Sequence, residues 1–566
     1  MKAKIKHDER LPVPGRDGVT FLPLGGCGQF GANFTLYGYD GNWIAVDCGM
    51  SFADERLPGV DVVLPDPTLI AEQRDRLKAL FVTHAHEDHI GAIAWLWPRL
   101  RCPVYATPFT AALLRRKLEE HVFPDGGPKI HVIKPGESVT PENGWSVTFV
   151  PVAHSIPEGN ALAIVTPAGR IVHTGDWCLD PDPILGTHTS PETFRALGAA
   201  GVMAYVGDST NADVRTQPPT ELEVEAGLAE VFKGAPRRIA VTLFASNVAR
   251  IISIYRAAQK VGRQVALVGR SLDTMVECAR EVGIMPAHMR FLTGDDAADM
   301  ADDKVVLVVT GSQGEARAAL SRIARGVHPS VKLKPDDVMV FSSRAIPGNE
   351  VAINEIKNEL LAMGVKIVTD RDARVHVSGH PVRADLAQMI DWLKPAAAIA
   401  VHGERVQMES HAALAREKQV RSVRVGANGE MLLIKPDGVY PQKVFPVVFN
   451  AVDFDRIVPA DDIAILERRK MSFNGAVFVS IVADGKSGDV LDVQASTVGL
   501  FDPARDEDAQ HLADLEDAAA DRFERLPRKE RLSQDAGEEA VRASVKRFFR
   551  DLHDIKPLVN VHVSLV

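Results

Sequence analysis

The sequence predicts an α/β protein of about three domains, and three observations carry that reading. The chain has 566 residues, and domains of roughly 100 to 200 residues each divide it into about three units. From Val19 to about Asp180 short strands alternate with helical stretches. From about Pro236 the rhythm becomes strand, short turn, helix, which is the pattern of parallel strands buried in an α/β layer.

In the first region, Phe34 to Tyr39 and Trp43 to Asp47 flank an Asp40-Gly41 turn, a hairpin signature. Trp145 to Val152, Ala161 to Thr166 and Arg170 to Thr174 read as further strands, and Thr110 to Glu120 as a helix. In the second, Ile239 to Leu243 precedes a helix over Asn247 to Val261. Val305 to Val309 precedes one over Gly314 to Arg325, and Val338 to Phe341 one over Asn349 to Met363. Ala396 to His402 is another buried strand, and Lys435 to Gly438 a turn. A connector from Pro441 to Ile457 leads to a tail with a strand over Gly475 to Val482. An acidic helical stretch follows, then a basic helix near Arg542 to Leu552 and a last strand over Val559 to Val566.

Hydrophobic residues make up 46% and charged residues 25%, which excludes a disordered, collagen-like or coiled-coil chain. The formal net charge is -10, the wrong sign for binding nucleic acid through bulk charge. Phe501 to Ala540 holds 13 acidic and 6 basic residues, a net of -7, leaving -3 for the rest. The total therefore says little about the substrate of the other domains. Five scattered cysteines form no CxxC pair, against both a disulfide framework and a cysteine-ligated zinc ribbon. The basic start is not followed by an apolar h-region, and no apolar run approaches the ~18 residues of a membrane span. A cytoplasmic protein is expected.

Gly26-Cys27-Gly28-Gln29-Phe30-Gly31 matches the dinucleotide fingerprint, but that fingerprint needs a helix directly after it. Asn33 to Tyr39 alternates like a strand instead, so a tight turn between strands is expected. Thr83-His84-Ala85-His86-Glu87-Asp88-His89 is different in kind. It sets three imidazoles and two carboxylates between the apolar run Leu80 to Val82 and the apolar stretch Ile90 to Leu96. A solvated histidine-rich loop would not sit there. His154, Asp176 and His402 close other predicted strands, giving seven ligands, enough for two metals with Asp176 bridging. Imidazole and carboxylate suit zinc or manganese.

This H-x-H-x-D-H pattern, with a later His, an Asp in T-G-D and a distal His, resembles the metallo-β-lactamase fold. Leu24-Gly25-Gly26, Gly59-Val60-Asp61, Thr83 to Gly91, His376-Val377-Ser378-Gly379-His380 and Val401-His402-Gly403-Glu404 resemble ribonuclease J, of the β-CASP nuclease branch. The resemblance implies an αββα sandwich in two parts, residues 1–215 and 376–446, a β-CASP domain at 216–375, and a linker with a small α+β domain at 447–566. It implies one metal on His84, His86 and His154 and another on Asp88, His89 and His402, with Asp176 between. The β-CASP motifs would be Asp208 in Gly207-Asp208-Ser209-Thr210, His380 in Ser378-Gly379-His380, and His402. Ala85 replaces the Gly expected in many relatives, which touches only loop geometry.

Paired divalent ions serve in-line displacement at phosphorus, and the leaving oxygen then needs a proton. Asp208 and His380 are the acid/base candidates, their order left open, against the bland readings of a turn Asp and a capping or core His. Phe244-Ala245-Ser246-Asn247, Thr310-Gly311-Ser312-Gln313-Gly314 and Ser342-Ser343-Arg344 each lie between a predicted strand and helix, where backbone N–H groups and hydroxyls bind phosphate. Ser and Asn are also ordinary N-caps. Together, beside Arg250, Arg270, Arg317 and Arg344, the turns favour a groove for a nucleic-acid backbone. The substrate residues expected are Phe244, Ser246, Asn247, Ser312, Arg344 and His376, Val377, Ser378, Gly379 and His380.

The resemblance implies single-stranded RNA as substrate, cut from a 5′-monophosphate end with endonucleolytic activity besides, in RNA maturation and decay. It also implies two divalent ions, zinc ahead of manganese, and a homodimer through the C-terminal domain, extendable to a tetramer or an RNA-degradation assembly. A thioesterase or lactonase of the same metal fold is the alternative, but would not need the insert with its three turns. A non-enzymatic scaffold would not need seven ligands.

Overall fold

The computed structural model describes residues 10–566; residues 1–9, with the basic start of the chain, lie outside the described residues. The chain separates into two compact units, residues 1–51 with 64–448 and residues 52–63 with 449–566.

The first unit is built on two sheets. One has eight strands in the order Gly438–Val444, Glu430–Lys435, Val19–Gly25, Phe34–Tyr39, Asn42–Val46, Leu77–Phe81, Val104–Ala106, Ile130–Val132. The other has seven, in the order Ser422–Val425, Ala397–Val401, Ala204–Asp208, Gly169–His173, Asn160–Thr166, Ser146–Pro151, Ser138–Val139. Their inner faces share one core. Phe21, Tyr37, Ile44, Val46 and Phe81 from the first sheet meet Val147, Phe149, Leu162, Ile171, Val206 and Ile399 from the second. The period-2 alternation of the strands supplies that face. On its outer side the second sheet buries Val150, Val172, Tyr205 and Ala398 against Phe194, Leu386, Met389, Trp392 and Leu414. Those residues come from helices Pro191–Ala199, Arg383–Leu393 and Arg405–Glu417. This is a sandwich of two sheets with helices outside.

Between Asp208 and Arg383 the chain leaves the sandwich to form a parallel six-stranded sheet, in the order Leu292–Thr293, Gln264–Val268, Val305–Val309, Ile239–Thr242, Val338–Phe341, Lys366–Val368. The three strands that precede the expected phosphate turns are therefore adjacent, and the turns leave from their carboxyl ends. That is where ligands bind in open α/β sheets. The helix expected over Gly314 to Arg325 is shorter, Ala319–Ala324. Gly314 takes a φ of +82°, which no helix accommodates, so the preceding residues remain a loop. Helix Val248–Lys260 begins after Asn247, whose side chain accepts from the Arg250 N–H.

Gly26 to Gly31 connects two antiparallel strands, with positive φ at Gly26, Gly28 and Gly31. It is a turn, as the strand following it required.

In the second unit the stretch expected as a connector contains an antiparallel pair, Phe449–Asp453 with Arg456–Pro459, followed by helix Ile463–Asn474. Strand Ala476–Ala483 pairs antiparallel with Val490–Val498 and parallel with Leu558–Leu565. Its inner residues Val477, Val479 and Ile481, with Val561 and Val563, pack on Leu515, Phe523, Val541 and Phe549. Those lie on helices Asp506–Glu524, the acidic one, and Gln534–His553. Strand 490–498 escaped the sequence reading because polar and apolar residues mix on both its faces and none of them is fully buried.

Candidate metal and phosphate site

All seven residues singled out as ligands stand together at one edge of the sandwich, five of them just after a strand of the core. His84 and His86 follow strand 77–81, His154 follows 146–151, Asp176 follows 169–173 and His402 follows 397–401. Asp88 and His89 fall in the one-turn helix Glu87–Ile90. Ligand atoms of His84, His86, His154 and Asp176 lie within 4.8 Å of one another, and so do those of Asp88, His89, Asp176 and His402. Asp176 belongs to both sets. Its Oδ2 is 3.5 Å from His84 Nε2 and 3.3 Å from His89 Nε2, and its Oδ1 is 3.4 Å from His402 Nε2.

Each imidazole is held by its other nitrogen. Thr83 Oγ lies 3.0 Å from His84 Nδ1, and Ser246 Oγ lies 3.1 Å from His86 Nε2. The Gly379 carbonyl is 2.6 Å from His154 Nδ1. Asp47 Oδ2 is 2.8 Å from His89 Nδ1 and Asn33 Oδ1 is 2.9 Å from His402 Nδ1. Such partners fix the tautomer and leave the inward nitrogen free to ligate. Asp47 also accepts from the Thr83 N–H at 2.8 Å and from its hydroxyl. Asp47 and His402 both carry left-handed backbone, φ +59° and +52°, a strain that surrounding structure must hold in place. Glycine is required where backbones touch: a Cβ on Gly49 would lie 1.6 Å from the Asp88 carbonyl oxygen, and one on Gly379 2.8 Å from the Ser155 N.

The electrostatics ask for cations. Burial holds His84 and His154 well below the usual imidazole range, and His86 at about 4, so these rings are neutral donors of a lone pair. Burial works against the Asp176 carboxylate, but the surrounding histidines keep it ionised, His402 foremost. Its Oδ1 is buried with no hydrogen-bond partner among the described residues. A buried acceptor without a donor is costly, and a divalent ion satisfies it. With nitrogen and oxygen donors only, the set fits zinc or manganese.

The other expected residues divide. His380 Nδ1 is 2.8 Å from Asp208 Oδ2, and Asp208 Oδ1 accepts from the Thr210 N–H and hydroxyl at 2.8 and 2.7 Å. Burial opposes a charge on His380, yet Asp208 and Asp176 outweigh it and raise its pKa to about 9. Ser378 accepts from Asn211 Nδ2 at 3.0 Å, and Asn211 also donates to the His380 carbonyl. The Ser378 to His380 stretch is thereby tied to the segment after Asp208. His376, half-buried, lies apart from the ion cluster, against the Ser342 carbonyl at 3.2 Å. Burial, with Arg250 and Arg344, holds it neutral.

Ser312 and Arg344 stand in neighbouring turns joined by Gln313, whose Nε2 donates to the Arg344 carbonyl at 2.9 Å. Arg344, Arg270 and Arg317 are exposed. Phe244 is half-buried, and the Asn247 side chain is engaged as a helix cap.

Arg250 is not a groove residue. Its side chain is fully buried and forks onto Glu221 at 2.6 and 2.8 Å, and it donates as well to Ser342 and to the Val375 carbonyl. An arginine on an amphipathic helix reads as solvent-facing, and only its pairing with Glu221, 29 residues away, shows otherwise. Asn33, Asp47 and Asn211 were missed as functional candidates. Asp47 alone left a signal, a carboxylate closing an apolar strand just as Asp176 does.

Fold and cluster together define a metallo-hydrolase of the β-lactamase superfamily with an α/β insert reaching its ion site. Family models agree along the chain. "Beta-lactamase superfamily domain" matches residues 42–222, "Ribonuclease J, beta-CASP domain" 236–360, "Zn-dependent metallo-hydrolase RNA specificity domain" 364–425 and "Ribonuclease J C-terminal domain" 463–566. The chain is 43% identical to a ribonuclease J of Sinorhizobium meliloti, over 100% of both chains. It is 34% identical to that of Thermus thermophilus, over 83% of each, and 40% to that of Mycolicibacterium smegmatis, over 70% of this chain and 71% of the other. A crystal structure of a protein of unknown function from Enterococcus faecalis superposes with a TM-score of 0.52 at 19% identity, covering 74% of this chain and all of that one; it speaks for the fold alone. The chain belongs to the ribonuclease J family.

Proposed function

We propose that the chain is a metal-dependent ribonuclease that hydrolyses single-stranded RNA from 5′-monophosphate ends in the 5′-to-3′ direction, with endonucleolytic activity on the same site. The observation that carries this is the contact of Ser246, in the first phosphate turn of the insert, with His86 of the ion cluster: a backbone bound along the turns runs onto the ions. A small-molecule hydrolase would have no use for that arrangement.

In this reading His84, His86 and His154 hold one divalent ion and Asp88, His89 and His402 the other, with Asp176 shared; zinc is the ion proposed, manganese the alternative. Two such ions supply a nucleophile at neutral pH and stabilise the attacking and leaving oxygens. The chain's own residues do the rest. Asp208 is buried and accepts from three donors, so it orients. His380, whose side chain is 21% exposed and whose pKa is raised by Asp208 foremost, is the proton donor to the leaving oxygen. Ser246, Ser312, Arg344 and the His376 to His380 stretch, Val377 included, bind and align the backbone, while Phe244 lies within reach of a base.

We further propose residues 1–215 and 376–446 as the metal domain, 216–375 as the insert and 447–566 as a linker and dimerisation module, in a cytoplasmic homodimer or a tetramer built from it. The sheet of that module has two open edges, strands 490–498 and 558–565, which supports pairing with a second copy. No helix among the described residues is long and apolar enough to cross a membrane.

The test is incubation with 5′-monophosphorylated and 5′-triphosphorylated single-stranded RNA, with and without chelator. Mononucleotides released from the first and abolished by chelator are expected. Failure of the metal-loaded protein to cut either RNA would refute the proposal. A DNA oligonucleotide of the same sequence reports sugar selectivity.

A further inference from the structure

Beside the candidate second ion site, Asn33 is 9% exposed and touches every residue of that site except the shared Asp176. Its Nδ2 donates to the Asp88 carbonyl at 3.0 Å and to Asp88 Oδ2 at 3.2 Å, and lies 3.1 Å from His89 Nε2. Its Oδ1 faces His402 Nδ1. Its backbone is pinned as well: the Asn33 N–H donates to the Asp88 carbonyl, and its own carbonyl accepts from the Gly49 N–H.

The orientation of this amide follows from its neighbours. Asp88 presents two acceptors and no donor, so the NH₂ must face it; the reverse flip would set oxygen against oxygen in a buried place. That leaves Oδ1 toward His402, which an acceptor obliges to carry its proton on Nδ1. The lone pair of His402 is then on Nε2, the nitrogen facing Asp176 and Asp88. His402 needs such a constraint, because it stands alone after its strand with left-handed backbone.

We propose that Asn33 is the positioning residue of the second ion site, passing the orientation of Asp88 to the tautomer of His402, and that this site's occupancy depends on it. The inference rests on the two-ion reading above. It requires a side chain that accepts on one face and donates on the other. Leucine has the size without either function, and aspartate keeps the acceptor while opposing Asp88.

The experiment is a titration of the zinc-loaded full-length chain with a chromophoric chelator, counting ions released per chain. The wild type is expected to release two. Asn33→Leu should release one at the wild-type chelator concentration and the other roughly 10- to 100-fold earlier, the usual effect of losing an outer partner. Asn33→Asp should fall between them, and it carries the test if the leucine variant does not fold. His402→Ala should retain one ion, and adding Asn33→Leu to it should change nothing more, whereas a merely structural role would weaken the remaining ion too. Wild-type release from Asn33→Leu, or equal loss of both ions, overturns the inference and leaves the two-ion reading standing. A wild-type chain holding no ion overturns both.

Discussion

The two candidate ion sites share Asp176 and are built from the same edge of one sandwich, yet they are braced from different places. At the second, His89 leans on Asp47 and His402 on Asn33, which flank the two hairpin strands of the core. At the first, only His84 has a core partner, Thr83. His86 is held by Ser246 of the insert, and His154 by the Gly379 carbonyl in the return to the sandwich. The insert emerges from the core through residues 209–220 and re-enters through 369–382, so the first site is completed by the insert and its return to the sandwich. One candidate ion site is braced by the scaffold, and the other largely by the insert and its return.

The two sites differ most at His86. Its Nδ1 lies 3.0 Å from His84 Nε2 and 3.1 Å from His154 Nε2, the centre of the first set, while its far nitrogen is the one bonded to the insert. His86→Ala should therefore lower RNA cleavage by roughly a thousandfold or more, about 4 kcal/mol of barrier, and leave one ion per chain by elemental analysis. Retention of two ions would mean that the first set has been misassembled from the geometry.

Asp208→Asn comes next. The carboxylate raises His380, so a neutral amide should let its pKa fall from about 9. In the proposed role His380 donates while protonated, so activity would be held below its pKa and lost as pH rises through it. The alkaline limb of the kcat profile should therefore move to lower pH in the variant, with kcat at its plateau lower by about a hundredfold, within the range of general acid catalysis. Ion content should stay at two: Asp208 lies within 4.8 Å of Asp176, His380 and His402, but its oxygens are taken by His380 and Thr210. An unmoved limb would assign the proton to another group.

Arg250→Met probes the scaffolding of the cleft. Removing the guanidinium leaves Glu221 buried without its partner, which costs about 3 to 5 kcal/mol, and frees the Ser342 and Val375 segments beside His376. Thermal unfolding should begin earlier, and KM for RNA should rise more than kcat falls. The ion braced by Asn33 and Asp47 should be retained below the transition. Loss of that ion in the folded variant would show that the two sites are not independently supported.

How much of this was legible beforehand follows from what sequence encodes locally. The seven ligands could be read because each closes an apolar strand or sits in one dense run, and strand ends are visible as a change of hydropathy. The insert's parallel strands were visible for the same reason, Val305–Val309 to the residue. The braces were not. Asn33 gives no local sign of its role, and its bond to His402 spans 369 residues; Ser246 and His86 are 160 apart. Arg250 was misread because burial of a charge is decided by its partner, not by its own surroundings in sequence. Strand 490–498 has only a weak apolar face, Val490, Val493 and Ala495, between exposed residues.

Ser246→Ala makes the finest cut. It removes one hydroxyl, leaves every candidate ligand in place, and takes from His86 the only partner seen on its outward nitrogen. Loss of a single outer partner lowers ion affinity by about tenfold at the mild end, so the first ion should leave about tenfold earlier in a chelator titration while the second is unchanged, the mirror image of Asn33→Leu. In the proposed substrate role the same hydroxyl also meets RNA, so ion and RNA binding would be linked through it, and linkage is reciprocal. A noncleavable 5′-monophosphorylated oligonucleotide should shift the release of the first ion in the wild type and shift it less in the variant. Equal shifts in both would remove Ser246 from the connection and leave Gly379 as the one route from the cleft to the first site.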